Sequence, residues 1–295
     1  MASEPSWELY RSYLSVLQEG SLSGAARALG LAQPTVGRHI EALEKSLGLD
    51  LFSRSQLGLL PTPAALELKP YAQAMGSSAA ALLRAAEGQG DVKGTVRISA
   101  SEVIGVEVLP PIVAQLQATH PELKIELALT NRVQDLLLRE ADIAVRMTPP
   151  NQDALLARRI GVVELGLHAH PRYLREHGTP EKPAELAKHA LIGFDAETPF
   201  LRAASKALPG WRRNAFAMRT DSDLAQLALI RAGAGIGVCQ AALARREPEL
   251  VRVLADDFAL PLETWVTMHE DLRHSARCKV TFDALLLGLQ RHASL

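Results

Sequence analysis

Gln33, Thr35, Arg38 and, at its margin, His39 fall on one side of a helix predicted from Gln33-Pro34 to Gly48, opposite an apolar stripe of Val36, Ile40, Leu43 and Leu47. These side-chain types read base edges: arginine pairs bidentately with guanine, glutamine with adenine, and threonine with a polar edge or a thymine methyl. A helix lying in the major groove presents its N-terminal residues, here Gln33, Pro34 and Thr35, to those edges. Arg27, Arg38 and Arg54 have the charge to hold phosphates, contacts that supply much of the affinity and make it salt-dependent. Charge alone argues no such role. Residues 1–62 hold five Arg and Lys against six Asp and Glu, so the same face also reads as ordinary solvated helix.

A second set lies further along the chain, at the ends of predicted strands. Ser99, Ser101 and Glu102 follow one strand and open a helix, Thr130 and Asn131 follow another, and Asp221 and Ser222 stand between a strand and a helix. Crevices at strand ends are where open α/β sheets bind small molecules, with helix N-termini attracting anions. Arg146 ends a further strand and suits a carboxylate, whereas Glu102 and Asp221 suit a donor or a cation, so the sign of the ligand stays open. The serines and threonines also read as plain helix caps and turn residues.

Other motifs carry less. His168-x-His170 places two imidazoles on one face of a strand, but no nearby Cys or carboxylate completes a metal set. Gly233-x-Gly235-x-Gly237 follows a helix and runs into a strand, the reverse of a dinucleotide fingerprint, and reads as a turn. With no nucleophile elbow, phosphate-cradling loop or zinc-protease motif, neither an enzyme nor a cofactor is expected.

The elements that must position these residues begin with a helix over 7–19. A short, small-residue helix over 22–29 is capped by Ser21 and closed at Gly30, and the Gln33 helix follows. Two helices joined by a tight Gly-containing turn form a helix-turn-helix. Residues 49–62, with Gly58 at a turn, read as a β-wing. From Ala64 to Glu87, Leu68, Ala72, Met75, Ala79, Leu82 and Ala86 alternate in steps of four and three, a seam for pairing helices of two subunits, with Pro70 expected to kink the helix or delay its start. Residues 88–94 form a Gly-rich hinge. Beyond them strands near 95–99, 123–129 and 143–145 alternate with helices over 108–119 and 133–140. The theme repeats through strands at 163–168, 191–194, 216–219 and 235–239 and a helix over 223–232, before a strand at 264–269 and a closing helix over 276–290. Such alternation predicts parallel strands with crossover helices.

The 295 residues exceed one ordinary domain, and 47% apolar with 22% charged residues and a net charge of −1 describe a globular chain whose charge names no partner. The acidic, Pro-containing start argues against a secretory signal, no apolar run is long enough for a membrane helix, and two cysteines make no disulfide framework; a cytoplasmic location is expected.

The run Ser21-Leu-Ser-Gly-Ala-Ala-Arg-Ala-Leu-Gly30, then Gln33-Pro34, Ile40-Glu-Ala-Leu-Glu44, Leu47-Gly48, Leu51-Phe52, Arg54 and Pro61-Thr62-Pro63 resembles the N-terminal signature of LysR-type transcriptional regulators. Leu109-Pro110, His120-Pro121, Ala141-Asp-Ile-Ala-Val-Arg146 and Ala232-Gly-Ala-Gly-Ile-Gly237 resemble that family's effector domain. Three positions depart from the pattern: Ala32 and Gly37 stand where Ser is usual, and Gln56-Leu57 precede the wing Gly58 where a basic residue is common. Such changes weaken helix capping and helix propensity by about 1 kcal/mol each. The resemblance implies a winged helix-turn-helix over 1–62, a linker helix and hinge over 63–90, and a two-lobed, periplasmic-binding-protein-like (type 2) α/β effector domain over 91–295, with lobe I at 91–165 and 268–295 and lobe II at 166–267. It further implies promoter DNA bearing an interrupted palindrome, a small organic effector between the lobes, dimers or tetramers built through the linker helix, and RNA polymerase as a partner if the protein activates. The competing reading, a two-lobed solute-binding protein, accounts for the C-terminal part alone and needs a leader rather than residues 1–90.

Overall fold

The structure, a computed structural model, describes residues 4–55, 58–86, 92–131, 140–150, 155–208 and 210–294. The wing tip at Gln56-Leu57, most of the expected hinge, and the helix expected over 133–140 apart from Glu140 lie outside the described residues. The chain divides after Ala86 into two compact units.

In the first unit, α1 (Trp7–Glu19), α2 (Leu22–Leu29) and α3 (Gln33–Leu47) precede an antiparallel ribbon of β1 (Phe52–Ser55) and β2 (Gly58–Pro61), with Phe52 opposite Pro61, and the long helix α4 (Pro63–Ala86). Ser21 Oγ caps α2 by accepting the Gly24 N–H at 3.0 Å. Gly30 turns the chain into α3 at φ 66°, a conformation natural to glycine. Ala25 and Ala26 are buried, and their small size lets α2 approach Val36, Ile40 and Leu43 of α3 and Tyr13 and Val16 of α1. Glu44 Oε1 accepts the backbone N–H groups of Leu51 (2.7 Å) and Phe52 (3.2 Å), tying α3 to the ribbon.

The start of α4 is not delayed by Pro70, which lies inside a continuous helix. Thr62 anchors the first turn, accepting the Ala65 N–H at 3.2 Å and donating to the Asp50 carbonyl at 2.8 Å. Ala65 and Ala72 are buried in the core on either side of the proline. The expected heptad seam is split: Leu68 and Ala72 pack into this unit's own core, while Met75 and Leu82 are 41% and 69% exposed and share their face with Tyr71 at 70%.

The second unit is built on a seven-stranded mixed sheet. β3 (Gly94–Ala100) is followed by a helix that starts at Glu102, passes through a π-turn over Ile104–Val108 and continues as α5 (Leu109–Thr119). β4 (Leu123–Leu129) and β5 (Ile143–Arg146) flank β3 in parallel. β6 (Leu155–Ala169), α6 (Pro171–His177), β7 (Leu191–Gly193), α7 (Pro199–Ala207), β8 (Phe216–Arg219), α8 (Asp223–Arg231), β9 (Gly237–Gln240), α9 (Ala241–Ala244) and β10 (Val251–Val253) build the other lobe. β11 (Leu260–His269) then returns, and α10 (Ala276–Ala293) closes the first lobe.

Parallel pairing with crossovers, expected throughout, holds for β3–β5 and for β7 with β8. It fails for the strands between. β6 and β11 are longer than their apolar runs suggested and pair antiparallel from Leu155–His269 to Leu165–Leu260, with a register shift between Thr264 and Trp265. Their ends serve different lobes: Trp265–Met268 pair with β5, while Leu165–Ala169 pair with β9 and β10. The first-lobe core gathers Ile98, Ile104, Leu123, Ile143, Val266 and Phe282. The second lobe has its own around Leu167, Tyr173, Leu201, Trp211 and Phe258, with a satellite about Ile192, Leu227 and Ile230.

The Gly233–Gly237 segment is the expected helix-to-strand turn. Ile236 exchanges hydrogen bonds of 2.9 Å with the Ala190 carbonyl and the Ile192 N–H, and this brings Gly235 so close that a Cβ there would stand 2.3 Å from the Ala190 oxygen. At Gly37 a Cβ would meet only Leu22 Cδ1, at 3.8 Å. Gly37→Ala is therefore expected to stabilise the first unit by about 1 kcal/mol and Gly235→Ala to destabilise the second by about 2–3 kcal/mol. Thermal unfolding of the two variants beside the parent checks both signs.

Candidate functional site

Two constellations are candidates, one in each unit. On α3, Gln33, Pro34 and Arg38 are exposed and Thr35 is half-buried, opposite the buried Val36, Ile40 and Leu43. His39 is turned back toward α1, where its Nδ1 shares a 2.7 Å hydrogen bond with Ser12 Oγ. Gln33 is braced by Ser23 of α2, whose Oγ donates to Gln33 Oε1 at 3.1 Å. Arg27 is exposed on α2, and Arg54 belongs to β1, with its side chain outside the described part of the ribbon. The missing cap at Ala32 costs little, since Pro34 has no N–H to satisfy and the Thr35 N–H reaches the Ala32 carbonyl at 2.9 Å.

In the second unit a cavity of about 560 Å³ opens between the lobes, within the range of small-molecule sites. Five of the eight residues singled out from the sequence line it: Ser101, Thr130, Asn131, Arg146 and Asp221. The other three stand behind the wall. Ser99 is fully buried and its Oγ accepts from Arg146 Nη2 at 2.7 Å, while Arg146 Nη1 donates to the Val145 carbonyl at 2.9 Å. Ser222 caps α8 and donates to Glu102 Oε2 at 3.3 Å, a bond that links the two lobes. Asn131 makes a second link: its Oδ1 accepts the Glu102 N–H at 3.2 Å and its Nδ2 donates to Asp223 Oδ2 at 2.9 Å. A third lies at the far end of α8, where Arg231 forks onto both oxygens of Glu107 (2.8 and 2.9 Å) and its Nε donates to Glu247 at 2.9 Å. That fork holds the Glu107 carboxyl below its ordinary range.

Sequence reasoning missed Asp223, Gln226, Gln240 and the aromatic wall of Phe194, Phe200 and Trp211. Asp223 follows a cap serine and looks like an acidic residue placed for the helix dipole. The aromatics carry a signal only in their scarcity: two of the chain's six phenylalanines and one of its three tryptophans converge here. Gln240 is buried against His292, its Oε1 3.1 Å from the imidazole Nε2. The paired histidines of β6 have separate, local roles. His168 is buried beside the Gly166 carbonyl, burial driving its pKa down to about 4, and His170 caps α6.

The N-terminal unit is thus a winged helix-turn-helix and the C-terminal unit a two-lobed α/β fold with a cavity between its lobes. Residues 7–66 match the model of the bacterial regulatory helix-turn-helix proteins of the lysR family, and residues 89–289 match that of the LysR substrate binding domain. An HTH-type transcriptional regulator of Xanthomonas campestris pv. campestris is 30% identical over 193 residues, which are 62% of this chain and 53% of that protein, so the chain spans little more than half the length of that relative. The full-length Vibrio cholerae virulence activator AphB is similar in fold at 22% identity and a TM-score of 0.62, over 96% of this chain and 99% of AphB. Full-length CbnR complexed with its target DNA is similar at 20% identity and a TM-score of 0.63, over 98% of this chain and all of that one. The chain belongs to the LysR family of transcriptional regulators.

Two properties of the cavity wall are open to direct measurement. Burial, then the nearby Glu102, push the Asp223 carboxyl up to about 6, partly offset by the bond from Asn131. The folded carboxyl thus keeps a proton that the unfolded one releases near 3.8, and stability falls as pH rises through that window. Asp223→Asn is expected to be more stable than the parent by a margin that widens by roughly 2 kcal/mol between pH 4.5 and 7.5. Unfolding both proteins at the two pH values checks this, and a margin constant with pH contradicts it. Burial also pushes the Cys239 thiol up to about 12, so it should resist thiol reagents at neutral pH until the protein unfolds, as a timed labelling experiment would show.

Proposed function

We propose that the protein is a cytoplasmic transcriptional regulator that binds promoter DNA through its N-terminal unit and adjusts that binding when a small organic molecule enters the cavity of its C-terminal unit. The observation that carries the reading is α3. Its inner stripe is consumed by the core, while Gln33, Pro34 and Arg38 are presented outward at and near its N-terminal end, the end that faces base edges when a recognition helix lies in the major groove. Thr35 completes the reading face, Arg27 and Arg54 serve phosphates, and His39 contributes as a brace to α1.

The residue divisions at 1–62, 63–90 and 91–295 belong to this reading, as does pairing of two subunits through α4, whose exposed Tyr71, Met75 and Leu82 form an apolar strip. A dimer matches a DNA site of two inverted half-sites, and tetramers extend it. RNA polymerase is the further partner if the protein activates. Effector contact falls to Ser101, Thr130, Asn131, Arg146 and Asp221, with Ser99, Glu102 and Ser222 positioning them. The effector acts only so far as it binds two arrangements of the lobes unequally. A solute-binding role is disfavoured by residues 7–66, which match a DNA-binding family model. CbnR, similar in fold, has been seen on its target DNA.

Arg38→Ala should weaken binding to a cognate promoter fragment by about 10- to 100-fold, the loss of one good base contact, with oligomeric state and melting temperature unchanged. A gel-shift titration at fixed salt reads this, and undiminished affinity would take α3 out of the interface.

A further inference from the structure

We propose that the molecule recognised by this cavity is an organic cation, a protonated amine seated against Asp221, Asp223 and Gln226 with an aromatic or aliphatic body against Phe194, Phe200 and Trp211. The inference rests on the reading of the cavity as an effector site.

The first observation is a pair of wall carboxylates without a protein cation. Asp221 Oδ1 accepts the backbone N–H groups of Asp195 and Ala196 at 3.0 and 2.8 Å, and Asp223 Oδ2 accepts from Asn131, so among the described residues the second oxygen of each of these cavity-lining carboxylates has no hydrogen-bond donor. Among the described residues neither is ion-paired with a Lys or Arg. Glu102 faces Asp223 from the other lobe and adds a third negative charge.

The second observation is Gln226, which lines the cavity yet is only 4% exposed. Its Nε2 donates to the Thr220 carbonyl at 3.0 Å. A carbonyl can only accept, so this bond fixes which way the amide points, and it leaves Oε1 as an unpartnered acceptor on the wall. Two carboxylate oxygens and an amide oxygen make an acceptor set that suits the three donors of an alkylammonium group.

The third concerns the opposite charge. Arg146 spends one N–H of each terminal nitrogen on the Val145 carbonyl and Ser99 Oγ inside its own lobe, so it does not offer an unengaged two-pronged fork to a carboxylate. An anionic ligand would meet three carboxylates against the single guanidinium of Arg146; a cation supplies the counter-charge still lacking. The rings of Phe194 and Phe200, with centroids 5.6 Å apart and planes inclined at 68°, offer an apolar surface that also attracts a cation. The raised pKa of Asp223 agrees with a site whose charge is uncompensated while it is empty.

The test uses the full-length protein at pH 7.5 with three probes that share a phenylethyl body: 2-phenylethylamine, 3-phenylpropionate and 2-phenylethanol. Melting temperature and calorimetric affinity are read for the parent and for the Asp221→Asn, Asp223→Asn double variant. The amine is expected to raise the melting temperature and to bind at least tenfold more tightly than the acid. The double variant should lose that tenfold while binding the alcohol as the parent does, which also shows that it is folded. Tighter binding of the acid, or amine binding indifferent to the two substitutions, overturns the proposal and leaves the effector cavity standing. No stabilisation by any of the three overturns both.

Discussion

The antiparallel pairing of β6 with β11 runs, through one register shift, from one lobe of the C-terminal unit into the other, and the walls of the cavity hang from it. β3 with its helix, β4 and β5 attach to one end through Trp265–Met268; β9 and β10 attach to the other through Leu165–Ala169, with β7, β8 and α8 behind them. The two lobes bury separate apolar cores. Away from these strands they are joined by Val103, which packs against the apolar satellite of the second lobe, and by polar bonds that include Ser222 to Glu102, Asn131 to Asp223, and Arg231 to Glu107. Such bonds, half-open to water, are individually weak, with the bidentate Arg231 fork the strongest of the three. Covalent strands that bend together with links that exchange readily for water or ligand make a frame in which a small molecule has leverage over the angle between lobes. The register shift at Thr264/Trp265, opposite Gly161, lies in the middle of the pair, where such bending concentrates.

The N-terminal unit depends on a different constraint, close approach. Alanine side chains on α2 leave room for α3 to cross it, Glu44 secures the ribbon to α3, and Thr62 fixes where α4 begins. Each is visible in the sequence as a small, acidic or capping residue at a set spacing, and so the element order of this unit was legible there. The α4 seam was less so. Periodicity identified the apolar positions, but a helix of 24 residues that packs Leu68 and Ala72 into its own domain's core and leaves Met75 and Leu82 exposed shows one continuous pattern in sequence. Only the burial of Leu68 and Ala72 separates the two uses.

In the C-terminal unit, loops at strand ends pointed to the cavity because parallel sheets place their crevices there, and Ser101, Thr130, Asn131, Arg146 and Asp221 are on its wall. The positions behind the wall were drawn in with them, since a residue one step along a loop cannot be told apart by type. Antiparallel β6 and β11 were hidden for a related reason: the first half of β6, Leu155–Ile160, contains Arg158 and Arg159 and does not read as an apolar strand. Gln226, Gln240 and the aromatic cluster come from helices, strand ends and loops scattered over 47 positions of the chain, and no local pattern gathers them.

The remaining question is why a cavity wall should hold carboxylates that no protein cation satisfies. Taking a charge out of water is costly unless a partner replaces the lost hydration, and folded proteins ordinarily supply that partner, as Arg231 does for Glu107 and Glu247 in the same unit. Asp223 instead has an amide donor, Asn131, from the facing lobe, and a like charge, Glu102, beside it. In this arrangement of the lobes the repulsion between Glu102 and Asp223 works against the Asn131 and Ser222 bonds that cross between them. A ligand bringing a positive nitrogen to this point would relieve the repulsion in this arrangement and gain much less from Asp223 in a more open one. Under the proposed reading, that inequality would couple occupancy of the cavity to the geometry of the lobes. Under that proposal the same residues would define both the charge of the molecule accepted and the conformation it favours.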